Sequence, residues 1–431
     1  MKSINDLLLE LESLPKGYIS KKTIHGKEYF YLQFLENKKI VSKYVKISDL
    51  EELKTMLAKR KEIEEEIDTL LKQEKRLNSC APSTLELTGY VMSNDTVVAE
   101  FEKGQLVSRD EKLTPLIIIR THDLLSFLNS RVLDTSRTNA KLLKRILNLH
   151  AEEDYMIALK NHATSVTDDY WFRSKNSRLK YKDVCLESDI YNEISLKGEL
   201  LYFPKNPSSS PQFSLRGSYE KCWRLINGEW WMYKVGTKEE KYSEFISAAL
   251  SNKLGIISAE YEIEEPFIKT KNFVEDKYNF EPMNALCGDN DSYENVFSTL
   301  LKLSKDLAKQ YLMLMWFDTL VNNVDRHNEN LGLLRDKKVG KIVSLAPNYD
   351  LNMSLFARNK LLKLEKDGFI NMFLKFANNF EAKELYKEMA CPSLNEGIIN
   401  SVLSSIDLSK YSFDLKAYLL YRFNILKSIF D

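Results

Sequence analysis

The segment Asp318-Thr-Leu-Val-Asn-Asn-Val-Asp-Arg-His-Asn-Glu-Asn-Leu-Gly-Leu-Leu334 changes character twice. It begins as the end of an apolar helix, passes through a polar loop and emerges as a short apolar strand. Residues 331–334 and 341–345 are predicted to pair through a turn at residues 336–340. This hairpin would return Asp350, at the end of Leu345-Ala-Pro-Asn-Tyr-Asp350, to the neighbourhood of the polar loop.

Three oxygen-bearing side chains are spaced along this part of the chain: Asp325, Asn330 and Asp350. Mg²⁺ takes hard oxygen ligands, usually one or two carboxylates together with substrate phosphates. Protein kinases use an Asp base and an Asn metal ligand in the catalytic loop, and a later Asp as the second ligand. We therefore expect Asn330 and Asp350 to bind Mg²⁺ and Asp325 to orient or deprotonate a substrate hydroxyl. His327 is expected to support the loop through hydrogen bonds.

A simpler interpretation of the same segment is an ordinary polar connection between a helix and a strand. Asp325 and Asn330 would then be turn residues, a role for which both residue types are well suited. The hairpin of suitable length that brings Asp350 back favours the metal site.

The composition is that of a globular protein with room for two or three domains. The chain has 431 residues, 62 of them basic and 62 acidic, so no net charge directs it to nucleic acid or to a membrane. Its five cysteines are widely spaced and include no C-x-x-C pair, which indicates free thiols in a reducing compartment. The longest apolar run is too short to span a bilayer and no signal pattern is present, so we expect a cytoplasmic protein without a membrane partner.

Residues 16–46 alternate between apolar and polar positions around turns at His25-Gly26 and residues 36–39, which predicts a three-stranded meander. The stretch contains eight lysines and two glutamates. Lysines interleaved with Tyr29, Tyr31 and Tyr44 could bind phosphates and stack on bases. Alternatively, the lysines protect the edges of a solvated sheet.

Ser48-Asp-Leu-Glu51 is typical of a capping box, and the helix that it opens can continue to about Leu77. Apolar residues recur along this helix at spacings of three, four and seven, which favours a helical hairpin or a short coiled-coil seam. Residues 1–80 are therefore predicted to form a module that recruits a protein substrate, nucleic acid or a second copy of the chain.

Residues 81–162 are predicted to be a small connecting region of α and β structure. The composition changes at Ala81-Pro-Ser, and residues 85–101 indicate a β-hairpin that turns at Ser93-Asn-Asp. Residues 116–119, Leu-Ile-Ile-Ile, are predicted to be a short buried strand.

Residues 163–295 have the order of elements expected for the β-rich lobe of a kinase. A polar loop at residues 214–221 leads into two strands joined at Asn227-Gly228, the strongest short hairpin signal. Lys234 lies in the second strand, and a following helix carries Glu244. A lysine there can simply be exposed on a strand face, but loop, strand lysine and helix glutamate in this order bind nucleotide phosphates in kinases. Residues 260–263, 266–269 and 272–275 are predicted to be further strands.

Three blocks of the sequence resemble the HipA-like serine/threonine kinases, and the resemblance covers roughly residues 163–431. They are Ser214-x-x-Gly217-x-x-Glu220-Lys221, Asp325-x-His327-x-x-Asn330 and Pro347-x-Tyr-Asp350. The resemblance implies an ATP- and Mg²⁺-dependent protein kinase, related to toxin–antitoxin systems, with a bilobal fold.

The resemblance also implies roles for individual residues. Asp325 would be the catalytic aspartate in a block shared with His327, and Asn330 and Asp350 would bind the metal. Lys234, with Glu244, would contact the phosphates of ATP. The phosphate loop would include Gly217, Ser218 and Lys221, and Ser214 would be the serine whose autophosphorylation ejects the loop and silences the enzyme.

We therefore predict an α+β protein with a bilobal kinase-like fold. Residues 163–295 form the β-rich lobe, residues 296–431 form the helical lobe, and the meander and long helix precede them. The first 160 residues do not resemble the usual N-terminal part of HipA. Two other functions fit less well: a phosphoinositide or small-molecule kinase, which shares Asp-Arg-His-x-x-Asn, and a nucleic-acid-binding regulator with a vestigial kinase fold.

Overall fold

The computed structural model describes most of the chain. The described residues are 6–7, 10–11, 13–24, 27–36, 39–77, 87–147, 149, 154–198, 207–358, 362–404, 406–411 and 413–431. Within these ranges, no helix is both long enough and apolar enough to cross a bilayer.

The N-terminal meander is confirmed. Strands β1 (Tyr18–Ile24), β2 (Lys27–Glu36) and β3 (Lys39–Val45) pair antiparallel in that order. The predicted turns at residues 25–26 and 37–38 lie outside the described residues.

The long helix α1 (Leu50–Leu77) is also confirmed, but its predicted capping box is wrong. A turn of 3-10 helix at Ile47–Asp49 precedes α1, and the Ser48 hydroxyl donates to the Asp49 carboxylate at 2.5 Å. Ser48 thus lies inside the 3-10 turn, whereas an N-cap residue has non-helical backbone angles. The boundary predicted between residues 80 and 81 lies outside the described residues.

A four-stranded sheet follows, with the order β6-β5-β4-β7. The strands are β4 (Gly89–Ser93), β5 (Thr96–Glu102), β6 (Gln105–Arg109) and β7 (Tyr170–Ser174). The predicted hairpin is confirmed as β4 and β5. Because β7 pairs with β4 along its whole length, the predicted division at residue 163 separates two paired strands.

Four short helices pack on this sheet and share its core with α1. They are α2 (Leu116–Thr121), α3 (Leu124–Asn129), α4 (Ala140–Ile146) and α5 (Tyr155–Lys160). The predicted strand at residues 116–119 is therefore wrong. A run of four apolar residues is too short for its periodicity to distinguish a strand from a helix. In the structure, the Leu116 N–H at the start of α2 donates to the distant Glu281 carboxylate at 2.6 Å.

The next sheet has the order β10-β11-β9-β8 and lies beside α6 (Asn192–Lys197) and α7 (Lys238–Lys253). Its strands are β8 (Lys221–Ile226), β9 (Glu229–Lys234), β10 (Tyr261–Glu264) and β11 (Phe267–Lys271). Asn227 and Gly228 both have positive φ angles, 52° and 82°, as the tight turn predicted between β8 and β9 requires.

The strand predicted at residues 272–275 is wrong. The Asn272 side chain donates to the Val166 carbonyl at 2.9 Å and accepts from the Val274 N–H at 3.1 Å. These bonds compete with strand pairing, so the chain leaves the sheet after β11.

The predicted hairpin beyond the central loop is confirmed as β13 (Gly332–Asp336) and β14 (Ile342–Leu345), with Leu333 opposite Leu345. A third strand, β12 (Tyr278–Pro282), pairs with β13. Gly332 allows this close pairing, because a Cβ atom there would lie 2.1 Å from the Phe280 ring.

The remainder of the C-terminal part is helical, as predicted. Its helices are α8 (Met283–Cys287), α9 (Tyr293–Leu303), α10 (Lys305–Val321), α11 (Gly368–Ala377), α12 (Phe380–Lys387), α13 (Glu396–Leu403) and α14 (Leu415–Leu426). Helix α10 lies at the centre of their core, and its last turn leads directly into the loop between α10 and β13. The fold is thus a mixture of α and β structure in which this loop lies beneath the β8–β11 sheet.

Candidate active site

A cavity of about 320 Å³ opens between the β8–β11 sheet and the loop that follows α10. Nine of the ten residues predicted for the site line this cavity: Ser214, Gly217, Ser218, Lys221, Lys234, Asp325, His327, Asn330 and Asp350. The tenth, Glu244, is buried in α7 behind the cavity wall and contacts Lys234. Segments more than 130 residues apart in sequence thus meet at one place.

Lys234 connects the two sides of the cavity. Its ammonium lies 2.9 Å from a carboxylate oxygen of Glu244 and 2.9 Å from one of Asp350. Burial disfavours the charged ammonium, but the two carboxylates outweigh burial and hold the pKa of Lys234 well above its usual range. Lys234 therefore remains a cation that joins α7 to the segment after β14.

Asp350 is the carboxylate that faces the cavity from the other side. Burial alone would raise the pKa of Asp350, but Lys234 and Lys221 outweigh burial and lower that pKa below its usual range. Its φ angle is +57°, and its N–H donates to the Tyr261 hydroxyl at 3.1 Å. Asp tolerates this left-handed conformation better than most residues do. The ionised carboxylate of Asp350 is thus held in a fixed position facing the cavity.

Lys221 lies opposite Lys234 on the adjacent strand. Burial lowers the pKa of Lys221 to about 8, because no carboxylate lies as close to it as to Lys234. Gly217 passes directly over its ammonium: φ is +86°, and a Cβ atom there would lie 2.7 Å from Lys221 Nζ. Glycine suits this position because residues with a side chain rarely adopt such a backbone angle.

The loop that carries Ser214 and Gly217 is held against the connecting region. The Leu215 carbonyl accepts from the Asp134 N–H at 3.0 Å, and Arg216 pairs with Glu329 at 2.5 Å. Ser214 is half-buried, and its hydroxyl donates to the Pro211 carbonyl at 3.0 Å. The loop is therefore folded inward, over the cavity.

The loop after α10 is organised by Arg326, a residue that our sequence analysis did not single out. Its guanidinium forms a two-pronged ion pair with Asp318, with N–O distances of 2.7 and 2.9 Å. It also donates to the Asn330 carbonyl, to the Tyr349 carbonyl at 3.0 Å and to the Asn348 side chain at 2.6 Å. One buried side chain therefore fixes both blocks of the predicted site relative to α10. The signal in the sequence was Asp318, the one charged residue in the apolar stretch of α10 at residues 311–321.

Hydrogen bonds within the loop orient the predicted site residues. The Asn330 side-chain nitrogen donates to the Asp325 carbonyl at 3.1 Å, which directs the Asn330 side-chain oxygen away from that carbonyl. His327 Nδ1 accepts from the Glu329 N–H at 3.2 Å, so the ring supports the loop. The Asp325 carboxylate is partly exposed and lies 3.8 Å from Arg358.

The donor set fits a magnesium ion better than a metal of the zinc type. Among the residues that the structure describes, no cluster of three His, Cys, Asp or Glu side chains could hold a metal. Asp350 and Asn330 offer one ionised carboxylate and one amide oxygen on the same cavity. Mg²⁺ commonly binds proteins through so few side chains and takes its other ligands from water and phosphate.

An aromatic cluster lines part of the cavity and was not predicted from the sequence. Phe273, Phe280 and Tyr349 contact one another with ring centroids 5.6 to 5.9 Å apart. Met232 and Thr270 line the cavity from the sheet. The aromatic cluster can hold a flat apolar ring, while Lys221 and Lys234 can hold anionic groups.

The role of Arg326 gives a stability prediction. We expect Arg326→Lys to lower the free energy of unfolding by roughly 3–5 kcal/mol, because one ammonium cannot replace the fork and Asp318 stays buried with incomplete pairing. Denaturant unfolding followed by circular dichroism would measure the change. Arg358→Lys is the control, since Arg358 is exposed and should leave the midpoint unchanged. Equal midpoints for both variants would contradict this role for Arg326.

Comparisons with known proteins find family models for two parts of the chain. The family model of the HipA-like C-terminal domain matches residues 213–406, which include every predicted site residue. A model described as a domain of unknown function (DUF6788) matches residues 2–55, the meander and the start of α1. A search of curated proteins gave no match.

Two solved structures are similar over parts of the chain. The Helicobacter pylori proinflammatory kinase CtkA is 18% identical, with a TM-score of 0.35, and the match covers 48% of this chain and 89% of that one. A chain of the Shewanella oneidensis MR-1 complex of HipA, HipB and operator DNA is 14% identical, with a TM-score of 0.43, and the match covers 79% and 96%. Both identities are below 25% and both TM-scores are below 0.5, so the comparison with a family rests on the family model alone. Residues 213–406 of this chain match the model of the HipA-like C-terminal domain family.

Proposed function

We propose that the protein is an ATP- and Mg²⁺-dependent serine/threonine protein kinase. The observation that carries the proposal is the position of Lys234, whose ammonium lies 2.9 Å from both Glu244 and Asp350 at the edge of a cavity that Asp325 and Asn330 also line. A strand lysine paired with a helix glutamate, facing the metal-binding Asp and the catalytic loop, is the phosphate-transfer arrangement of protein kinases.

The nucleotide would lie in the cavity between the β8–β11 sheet and the loop after α10. The adenine ring would lie against the aromatic cluster of Phe273, Phe280 and Tyr349, where Met232 faces it from the sheet. The phosphates would lie against Lys221 and Lys234, with the backbone of Gly217 and Ser218 above them. The absence of a side chain at Gly217 lets the backbone come close to the phosphates.

Asp350 and Asn330 would hold the metal, which supplies charge neutralisation on the phosphate oxygens when bound. Asp350 stays ionised because Lys234 and Lys221 lower its pKa. Asn330 presents an oxygen because its nitrogen is bonded to the Asp325 carbonyl. Arg326 keeps both residues in place by bonding to the carbonyls of Asn330 and Tyr349.

Asp325 would position the acceptor hydroxyl and take its proton. The hydroxyl oxygen forms a bond to the γ-phosphorus, the bond from that phosphorus to the β–γ bridging oxygen breaks, and the proton passes to the Asp325 carboxylate. The partial exposure of Asp325 suits this role, because an incoming protein side chain can reach it. His327 acts on the loop through the Glu329 amide and not on the substrate.

Autophosphorylation on Ser214 would regulate the enzyme. Ser214 is half-buried on the inward-folded loop, so a phosphate there would add close to two charges and three acceptor oxygens where the loop is packed. The loop could then not stay over the cavity. A protein partner, either a substrate or an antitoxin-like regulator, and a second copy of the chain remain predictions for residues 1–80.

The kinase proposal predicts that Asp325→Asn reduces transfer of the γ-phosphate by a factor of about 10² or more, because the amide cannot accept the proton from the acceptor hydroxyl. Transfer from radiolabelled ATP to protein would be measured for the wild type and the variant. Asp276→Asn, which changes an exposed aspartate outside the cavity, is the control and should keep full activity. Equal, background-level transfer by all three proteins would exclude the kinase function. Label recovered only on lipid or a small molecule would favour the alternative acceptors.

The autoregulation proposal predicts phosphate on Ser214 in the wild type and none there in Asp325→Asn. Mass spectrometry of the purified proteins would locate it. Ser214→Ala should transfer phosphate to other proteins without the decline in rate that follows autophosphorylation. Phosphate found only at other residues would contradict this regulation and leave the transfer reaction itself intact.

The pKa of Lys221 predicts how nucleotide binding depends on pH. Because that pKa is about 8, Lys221 is mainly cationic at pH 7 and mainly neutral at pH 9. Loss of one cation beside the phosphates should raise the Kd for Mg²⁺–ATP by about tenfold between pH 7 and pH 9, which corresponds to about 1.4 kcal/mol. Isothermal titration calorimetry would measure the change.

Lys221→Arg is the matched variant, because a guanidinium stays charged across this range. Its Kd should be flat with pH, while the exposed control Lys253→Arg should follow the wild type. Parallel pH profiles for all three proteins would show that Lys221 does not contact the phosphates.

A further inference from the structure

The three-stranded meander carries two faces of different chemistry, and the proposed kinase reaction uses neither. Residues opposite one another on neighbouring strands point to the same face, and positions two apart on one strand share that face. Tyr31 lies between Ser20 and Tyr44, Lys22 lies opposite Tyr29, and Tyr18 lies opposite Gln33. The tyrosine face therefore comprises Tyr18, Lys22, Tyr29, Tyr31, Gln33 and Tyr44.

The opposite face is apolar. It comprises Ile19, Phe30, Leu32, Phe34, Val41 and Val45, all at least half-buried. Two lysines at its margins are engaged, since Lys21 pairs with Glu28 and Lys43 lies 5.0 Å from the Phe34 ring. The buried side chains of the module thus lie on the apolar face, and the aromatic rings of the tyrosine face are not among them.

The rings on the tyrosine face are accessible. Tyr18 and Tyr44 are 61% and 56% exposed. Tyr44 meets Tyr31 at an interplanar angle of 68° and Tyr29 at 52°, so the rings touch at their edges and do not stack on one another. Large aromatic side chains exposed together are unusual on a surface without a binding role.

Charge is concentrated on the same module. The whole chain is neutral, yet residues 16–46 contain eight lysines, two glutamates and no other charged residue apart from histidine. The Lys22 ammonium lies 5.2 Å from the centroid of the Tyr31 ring, so a cation stands beside the rings. A partner that binds the tyrosine face must therefore be anionic and must offer flat groups to the tyrosines.

We propose that the tyrosine face of the meander binds single-stranded nucleic acid. Aromatic rings flanked by cations bind unpaired bases by stacking while the cations contact the phosphates, and neither contact requires a particular sequence. In a duplex the bases stack on each other, so duplex DNA would offer this face only its phosphates. The proposal does not depend on the kinase activity, because this face and the cavity share no residue.

The test uses the full chain and fluorescein-labelled single strands of 20 nucleotides, dT and rU, with fluorescence anisotropy as the readout. We expect saturable binding at 50 mM KCl and at least tenfold weaker binding of a random-sequence duplex of equal length. The double substitution Tyr31→Ala and Tyr44→Ala should weaken binding of the single strand at least tenfold. The matched pair Tyr31→Phe and Tyr44→Phe keeps both rings and should bind like the wild type.

The lysines are tested through the salt dependence. Each phosphate contact on a single strand contributes about 0.7 to the slope of log K against log[salt]. Lys22→Gln with Lys46→Gln should therefore make the slope shallower by about 1.4. Lys54→Gln with Lys61→Gln removes the same charge from the exposed side of α1 and should leave the slope unchanged.

Three outcomes would overturn the proposal. They are no saturable binding of either single strand at 50 mM KCl, equal affinities of the Ala and Phe pairs, or equal affinities for single strand and duplex. Circular dichroism and thermal unfolding of each variant would verify that the fold is intact. Asp325→Asn should bind the single strands like the wild type, so failure of the kinase proposal and failure of this one can be distinguished.

Discussion

The ion pair between Arg326 and Asp318 is the contact on which the candidate active site depends. Both side chains are buried, so each would be costly to leave without a partner in the interior. Asp318 is fixed by the last turn of α10, and the guanidinium anchored there has donors left for the Asn330 and Tyr349 carbonyls. The two segments that carry Asp325, Asn330 and Asp350 are thus positioned by one cation, and helix α10 is the rigid element beneath them.

The opposite wall of the cavity depends on a second buried arginine, from the region before the matched domain. Arg137 donates to the Lys221 carbonyl at 2.7 Å and contacts Glu220 at 3.3 Å, and Asn139 donates to the same glutamate at 3.0 Å. Asp134 holds the loop over the cavity through the Leu215 carbonyl. The connecting region is therefore a structural part of the site and not a spacer.

Local patterns in the sequence were sufficient to predict those elements whose structure depends on residues close together in the chain. The Asn227-Gly228 turn, the hairpin of β13 and β14, the meander and the helix α1 were predicted because turn residues and periodicity act over a few positions. The helix α2, the pairing of β7 with β4 and the addition of β12 to β13 depend on contacts between distant segments. In the site, the charged residues could be predicted from their chemistry, whereas Arg326 and the aromatic cluster at Phe273 could not, because their roles arise only after folding.

The distribution of charge separates two kinds of recognition in one neutral chain. At the cavity, Lys221 and Lys234 face Glu244 and Asp350, so the site is close to electrically balanced and selects its ligand by geometry more than by long-range attraction. In the meander, eight lysines face two glutamates with no comparable balance. A field of that kind attracts anions from a distance but weakens with salt. The chain therefore places its unbalanced charge on the N-terminal module, whose residues do not line the cavity.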